Sequence, residues 1–134
     1  MASHRNLQRA AALKVKRVIV ADDNQDVIDI VTLALEGEGF EILSAKDGIS
    51  ALKKARQLHP DLLLLDIMMP GKDGFEVCAA LKQSPTTSDI IVIILTAKAD
   101  PESRQHAFAS GANDYLTKPI DPQDLVARVH HYLG

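Results

Sequence analysis

Two runs in this chain, "LLLL" (Leu62–Leu65) and "IIVIIL" (Ile90–Leu95), contain no residue suited to a wet surface. Side chains of a strand alternate between its faces, so an unbroken apolar run must be covered on both. That requirement belongs to parallel sheets held between two layers of helices. "RVIVA" (Arg17–Ala21) reads as a third buried strand, and "FEILSA" (Phe40–Ala45) and "NDYLT" (Asn113–Thr117) as two weaker ones.

Segments with helical spacing separate these runs. Val27, Ile30, Val31, Ala34 and Leu35 form the first apolar stripe, stopped by Gly37 and Gly39. Asp47 opens the second helix, with Ile49, Leu52, Ala55 and Leu58 facing inward, and Asp73 the third, with Phe75, Cys78 and Leu81 inward. Asp100-Pro101 and Asp121-Pro122 each place a cap before a proline at the first helical position. The fourth helix ends at Gly111, and the fifth turns Leu125, Val126, Val129 and Leu133 inward. Five strand–helix units with right-handed crossovers predict an α/β fold, a flavodoxin-like doubly wound parallel sheet of order 2-1-3-4-5 with helices on both faces.

With 134 residues and only 4% aromatics, the chain suits one domain with an aliphatic core. Residues 1–17 carry five bases and no acid, while the remainder carries ten bases against eighteen acids. Residues 1–16 therefore read as a basic extension, disordered or weakly helical, and residues 17–134 as the domain. The acidic body argues against direct nucleic-acid binding. No apolar stretch reaches membrane-spanning length, so no membrane partner is expected. The lone Cys78 reads as a small buried hydrophobe and agrees with a reducing, cytoplasmic setting. His130 and His131 are adjacent and do not share a helix face, so they read as solvated or half-buried side chains rather than a metal site.

Open parallel sheets bind ligands beyond the carboxyl ends of their strands. The first strand ends at Asp22-Asp23, the third at Asp66, the fourth at Thr96 and the fifth at Lys118-Pro119. Three carboxylates crowded at one edge raise each other's pKa values and call for cations. Lys118 is one, and a divalent metal is the other. All-oxygen ligands with room for water and phosphate suit Mg²⁺. A carboxylate beside two cations can attack a phosphoryl group, and Thr96 can donate a hydrogen bond to one phosphoryl oxygen. Singly, each residue could be a helix cap, a turn or a solvated end. Four such residues at the matching ends of four strands favour a site.

At these residues the chain resembles the receiver domain of bacterial two-component response regulators, of the chemotaxis-regulator type. The likeness runs from Arg17 to Leu133 through "VIVADDNQ", "PDLLLLDIMMPGKDGFEV", "IIVIILTAKAD" and "ASGANDYLTKPID". Asp66, Met69, Pro70, Asp73 and Gly74 fill its Asp-x-x-Met-Pro-x-x-Asp-Gly pattern. The resemblance implies Asp66 as phosphoacceptor in a phosphorelay, and Mg²⁺ bound by Asp66, Asp23, Asp22 through water and the Met68 carbonyl. It implies phosphoryl contacts from Thr96 and Lys118, with Ala97 leaving room. It implies a cis Lys118-Pro119 peptide and a switch in which Tyr115 follows Thr96. The partners implied are a sensor histidine kinase or histidine phosphotransfer protein and a downstream effector or output domain. Binding, or dimer formation, would use the face of helix 4, strand 5 and helix 5. Ile120 departs from the family, where phenylalanine is common.

Met68 and Lys98 flank the expected path of an attacking water, and neither is an acid or amide that would orient it. Slow self-dephosphorylation is expected. Two other readings compete with the signalling switch. An aspartyl phosphatase of the haloacid-dehalogenase type would need a second aspartate where Met68 stands. A binding module indifferent to phosphorylation would leave the full acid set unexplained. Only Gly134 follows Leu133, which suits either a stand-alone receiver or a piece of a longer regulator.

Overall fold

The computed structural model describes residues 15–134. The basic extension expected over residues 1–16 lies, up to residue 14, outside the described residues. Strands β1 (Arg17–Ala21), β2 (Glu41–Ala45), β3 (Leu62–Asp66), β4 (Ile91–Thr96) and β5 (Asp114–Thr117) form one parallel sheet of order β2-β1-β3-β4-β5. Helices α1 (Gln25–Glu36), α2 (Gly48–Leu58), α3 (Gly74–Gln83), α4 (Pro101–Ala109) and α5 (Pro122–Leu133) make the crossovers and the last unit.

Alternation along the strands divides the interior in two. Val18, Val20, Leu62, Leu64, Ile93 and Leu95 pack with Ile28, Val31 and Leu35 of α1 and Leu125 and Val129 of α5. Ile19, Ala21, Leu63, Leu65, Val92 and Ile94 pack on the other face with residues of α2, α3 and α4. All four leucines of β3 are fully buried. Truncating one of them to alanine would cost about 2–5 kcal/mol through lost transfer energy and the cavity left behind.

Each helix starts from an Asx cap. The side chains of Asn24, Asp47, Asp73, Asp100 and Asp121 accept from Asp26, Ser50, Glu76, Ser103 and Gln123 N–H groups at 2.7–3.0 Å. Pattern reading found the four aspartates.

Two helix faces differ from expectation. On α1, Ile28 is buried and Ile30 faces solvent. On α2, Gly48, Ala51, Leu52 and Ala55 are buried, whereas Ile49 is 62% exposed. Small residues win the inner face of α2 because the helix starts hard against the β3–α3 loop. A Cβ on Gly48 would collide with the Lys72 carbonyl, and the Gly48 N–H donates to the Pro70 carbonyl at 3.1 Å. Cys78 is fully buried, with its thiol on the Ser110 carbonyl.

Three of the described histidines have partners that the sequence did not disclose. His59 contacts Asp89 at 2.9 Å, and His106 stacks on Phe75. His130 contacts Glu38 at 2.9 Å and so ties α5 to the end of α1.

Gly74 is constrained in the same way as Gly48. A Cβ there would press on the Asp66 carbonyl and lie 2.6 Å from the Ile67 Cα. Gly74→Ala is expected to destabilise the fold by about 1–3 kcal/mol, read from urea unfolding, because backbone must move. Glu38 also tunes His130. The hydrogen bond to Glu38, helped by the Gly134 carbonyl, raises its pKa above the ordinary 6.5. The pair's contribution to stability is therefore full below about pH 6.5 and is lost as pH rises through the folded value. An NMR titration should show the raised pKa, and Glu38→Gln should move it down.

Candidate functional site

The strand register assembles the site. Ala21 pairs with Leu65, Asp66 with Leu95 and Thr96 with Thr117. Asp22, Asp66, Thr96 and Lys118 therefore converge at the carboxyl edge, beside the point where strand order reverses at β1. Asp22 and Thr96 are fully buried and Asp66 is 4% exposed, while Asp23 lies at the surface.

Each buried group is held on one side. Asp22 Oδ1 accepts the Asn24 N–H at 2.9 Å, and Asp66 Oδ1 accepts the Met68 N–H at 3.1 Å. Thr96 Oγ1 accepts the Lys98 N–H at 3.2 Å. The Lys118 ammonium lies 2.6 Å from Asp22 Oδ2 and 3.2 Å from Asp66 Oδ2. Its contact with Asp22 is an ion pair by distance without hydrogen-bond alignment, so Asp22 Oδ2 stays a buried acceptor with no aligned donor.

One lysine between two buried carboxylates leaves a negative charge uncompensated, and Asp23 adds another. Carboxylate oxygens of Asp22, Asp23 and Asp66 lie within 4.8 Å of one another, close enough to hold a metal ion. The donors are oxygens alone, which fits a hard divalent cation. The same crowding perturbs protonation. Burial, then the charge of Asp22, raises the Asp66 pKa against the opposing Met68 N–H and Lys118. Burial works to lower the Lys118 pKa, but the close contact with Asp22 and the charges of Asp66 and Asp22 outweigh it, and the net shift is upward.

The remaining expected residues surround this centre. Met68 is 61% exposed, and Ala97 and Lys98 are also exposed. The Lys118-Pro119 peptide is cis. The Tyr115 ring is buried, and its hydroxyl donates to the Lys98 carbonyl. Sequence reading overlooked Asn24. It caps α1 and orients Asp22 through its N–H, which leaves Asp22 and Asp23 free of the capping role open to them in the sequence.

A doubly wound sheet with an acid cluster, a buried hydroxyl and a lysine at its switch point defines a phosphoryl-handling α/β domain. Residues 18–130 match the response regulator receiver domain family, and the chain belongs to it. It is 43% identical over 117 residues to the DNA-binding dual master transcriptional regulator RpaA of Synechocystis, covering 87% of this chain and 48% of RpaA. It is 42% identical over 114 residues to the DNA-binding response regulator MtrA of Mycobacterium tuberculosis, covering 85% of this chain and 49% of MtrA. A putative response regulator from Chloroflexus aurantiacus superposes with a TM-score of 0.85 at 38% identity, covering 90% of this chain and 98% of that one.

The family is regulatory, with a phosphorylatable aspartate in a fold of this order, and the phosphatase reading finds no support. The expectation about nucleic acid is corrected. The acidic body had suggested partners without DNA, yet RpaA and MtrA are DNA-binding proteins. The chain spans about half the length of those relatives, so its charge balance describes one half of such a molecule and not what the whole binds. Among the described residues, no helix is long and apolar enough to cross a membrane.

The raised Asp66 pKa has a measurable consequence. Ionising Asp66 penalises the fold once pH exceeds the ordinary 3.8, and the penalty is complete above the raised folded value. Asp66→Asn is therefore expected to melt higher than the parent at neutral pH in EDTA. The difference should shrink on acidification, as calorimetry would show.

Proposed function

We propose that Asp66 accepts a phosphoryl group from a histidine kinase or histidine phosphotransfer protein, and that this module signals rather than turns over a substrate. The observation that carries the reading is a nearly buried carboxylate at the end of the central strand, held by a lysine it shares with Asp22. A lone pair of the Asp66 carboxylate forms the new oxygen–phosphorus bond, and the donor's leaving nitrogen departs with the old bond's electrons. Lys118 neutralises the phosphoryl oxygens, Thr96 donates its hydroxyl to one of them, and exposed Ala97 leaves them room.

Mg²⁺ is the cation proposed for Asp22, Asp23, Asp66 and the Met68 carbonyl. When bound it would offset phosphoryl charge that Lys118 alone cannot. Occupying Thr96 and Lys118 with phosphate would disturb the Lys98 backbone that Tyr115 grips, so the α4–β5–α5 face would change with phosphorylation. The buried free thiol of Cys78 agrees with a reducing cytoplasm.

Incubation with radiolabelled acetyl phosphate should label the parent in Mg²⁺ and not in EDTA. Wild-type labelling of Asp66→Asn would sink the assignment. The labelled parent should lose phosphate slowly. Met68→Asn, which supplies an amide to orient water, should hasten that decay about tenfold.

A further inference from the structure

Helix α4 has one buried side chain, Ala107, whereas every other helix buries at least two. Apolar burial therefore holds it weakly. Polar and aromatic contacts do more of the work. His106 stacks on Phe75 of α3 with centroids 3.8 Å apart and ring planes at 19°. Two positions earlier, and so on the opposite flank, Arg104 places its guanidinium 6.0 Å from the Tyr115 ring centroid and 5.9 Å from that of Phe108. One cation thus sits against a ring that is 4% exposed and a ring that is 43% exposed.

The contacts continue inward. The Tyr115 hydroxyl donates to the Lys98 carbonyl, and the Lys98 N–H donates to Thr96 Oγ1. The geometry points to Arg104 as a positioning residue of the phosphoryl site: its guanidinium holds the Tyr115 ring in the buried orientation and, through Lys98, keeps the Thr96 hydroxyl set. What Thr96 then does rests on the proposed phosphoryl chemistry, but the hold on Tyr115 does not.

A planar guanidinium can lie against two rings together, which a lysine ammonium does less well. A cation against an aromatic face at a partly exposed site is worth a factor of about two to five in population. Phe108 offers the guanidinium a second ring at a similar distance. Arg104 is itself at the surface, so replacing it opens no cavity.

The chain has no tryptophan and two tyrosines, so Tyr132→Phe leaves Tyr115 as the sole tyrosine. With 3-fluorotyrosine incorporated, fluorine NMR reads the buried and exposed orientations directly, in protein free of metal and phosphoryl donor. Arg104→Gln is expected to raise the exposed-to-buried ratio about two- to fivefold, Arg104→Lys to recover part of it, and Phe108→Leu to shift it less in the same direction. An unchanged ratio in folded Arg104→Gln overturns the assignment. So does a ratio that Arg104→Lys leaves as high as Arg104→Gln does. Beryllofluoride with Mg²⁺, a phosphoryl mimic, forms the second arm. If no variant, parent included, responds to it, the phosphoryl reading fails while the Arg104 result stands on the first arm. If the parent responds, Arg104→Gln should need about two- to fivefold more mimic for the same shift, and an equal requirement counts against the coupling to Thr96.

Discussion

The sheet is covered on both faces, and that constraint governs where chemistry can occur. Every alternate side chain of β1, β3 and β4 enters one of two apolar cores, so no charged group can sit along the strands without losing its water. Charge is admitted only where the strands stop. Parallel pairing aligns those stops at one edge, and the reversal of strand order at β1 opens a gap there between the loops. The acid cluster is a consequence of that geometry as much as of the residues themselves.

The edge is electrostatically unfinished. One lysine serves two buried carboxylates, a third lies beside them, and Asp22 keeps an acceptor with no aligned donor. A structure selected for stability alone would not bury two like charges beside each other. The imbalance leaves the edge with carboxylates close enough to hold a cation, and the cores, with β3 fully buried, offset its cost. Helix α4 is built in the opposite sense. It places one alanine in the core and meets its neighbours through an imidazole stack and a guanidinium.

Much of the fold was legible in the chain. The strands β1 and β3 fall where their apolar runs are, and Asp47, Asp73, Asp100 and Asp121 mark their helices because a carboxylate before a helical run has a local bonding reason to be there. Helix faces were less legible. Ile30 and Ile49 look like core residues by spacing, yet both face solvent. The start of α2 was decided by how closely Gly48 could approach the β3–α3 loop, and that loop is far from it in sequence. The charge balance was no guide to nucleic acid, because the DNA-binding relatives RpaA and MtrA are about twice the length that this chain spans.

By itself the sequence determined that the sheet is parallel and double-covered, and that acids, a hydroxyl and a lysine stand at strand ends. Those properties follow from local periodicity and from the place where each apolar run stops. Tertiary structure alone decided that Lys118 lies nearer Asp22 than Asp66 and that Arg104 lies over the Tyr115 ring. Both depend on the register and twist that bring separate strands and helices within a few ångströms. The short-range pattern of a chain carries no record of such distances.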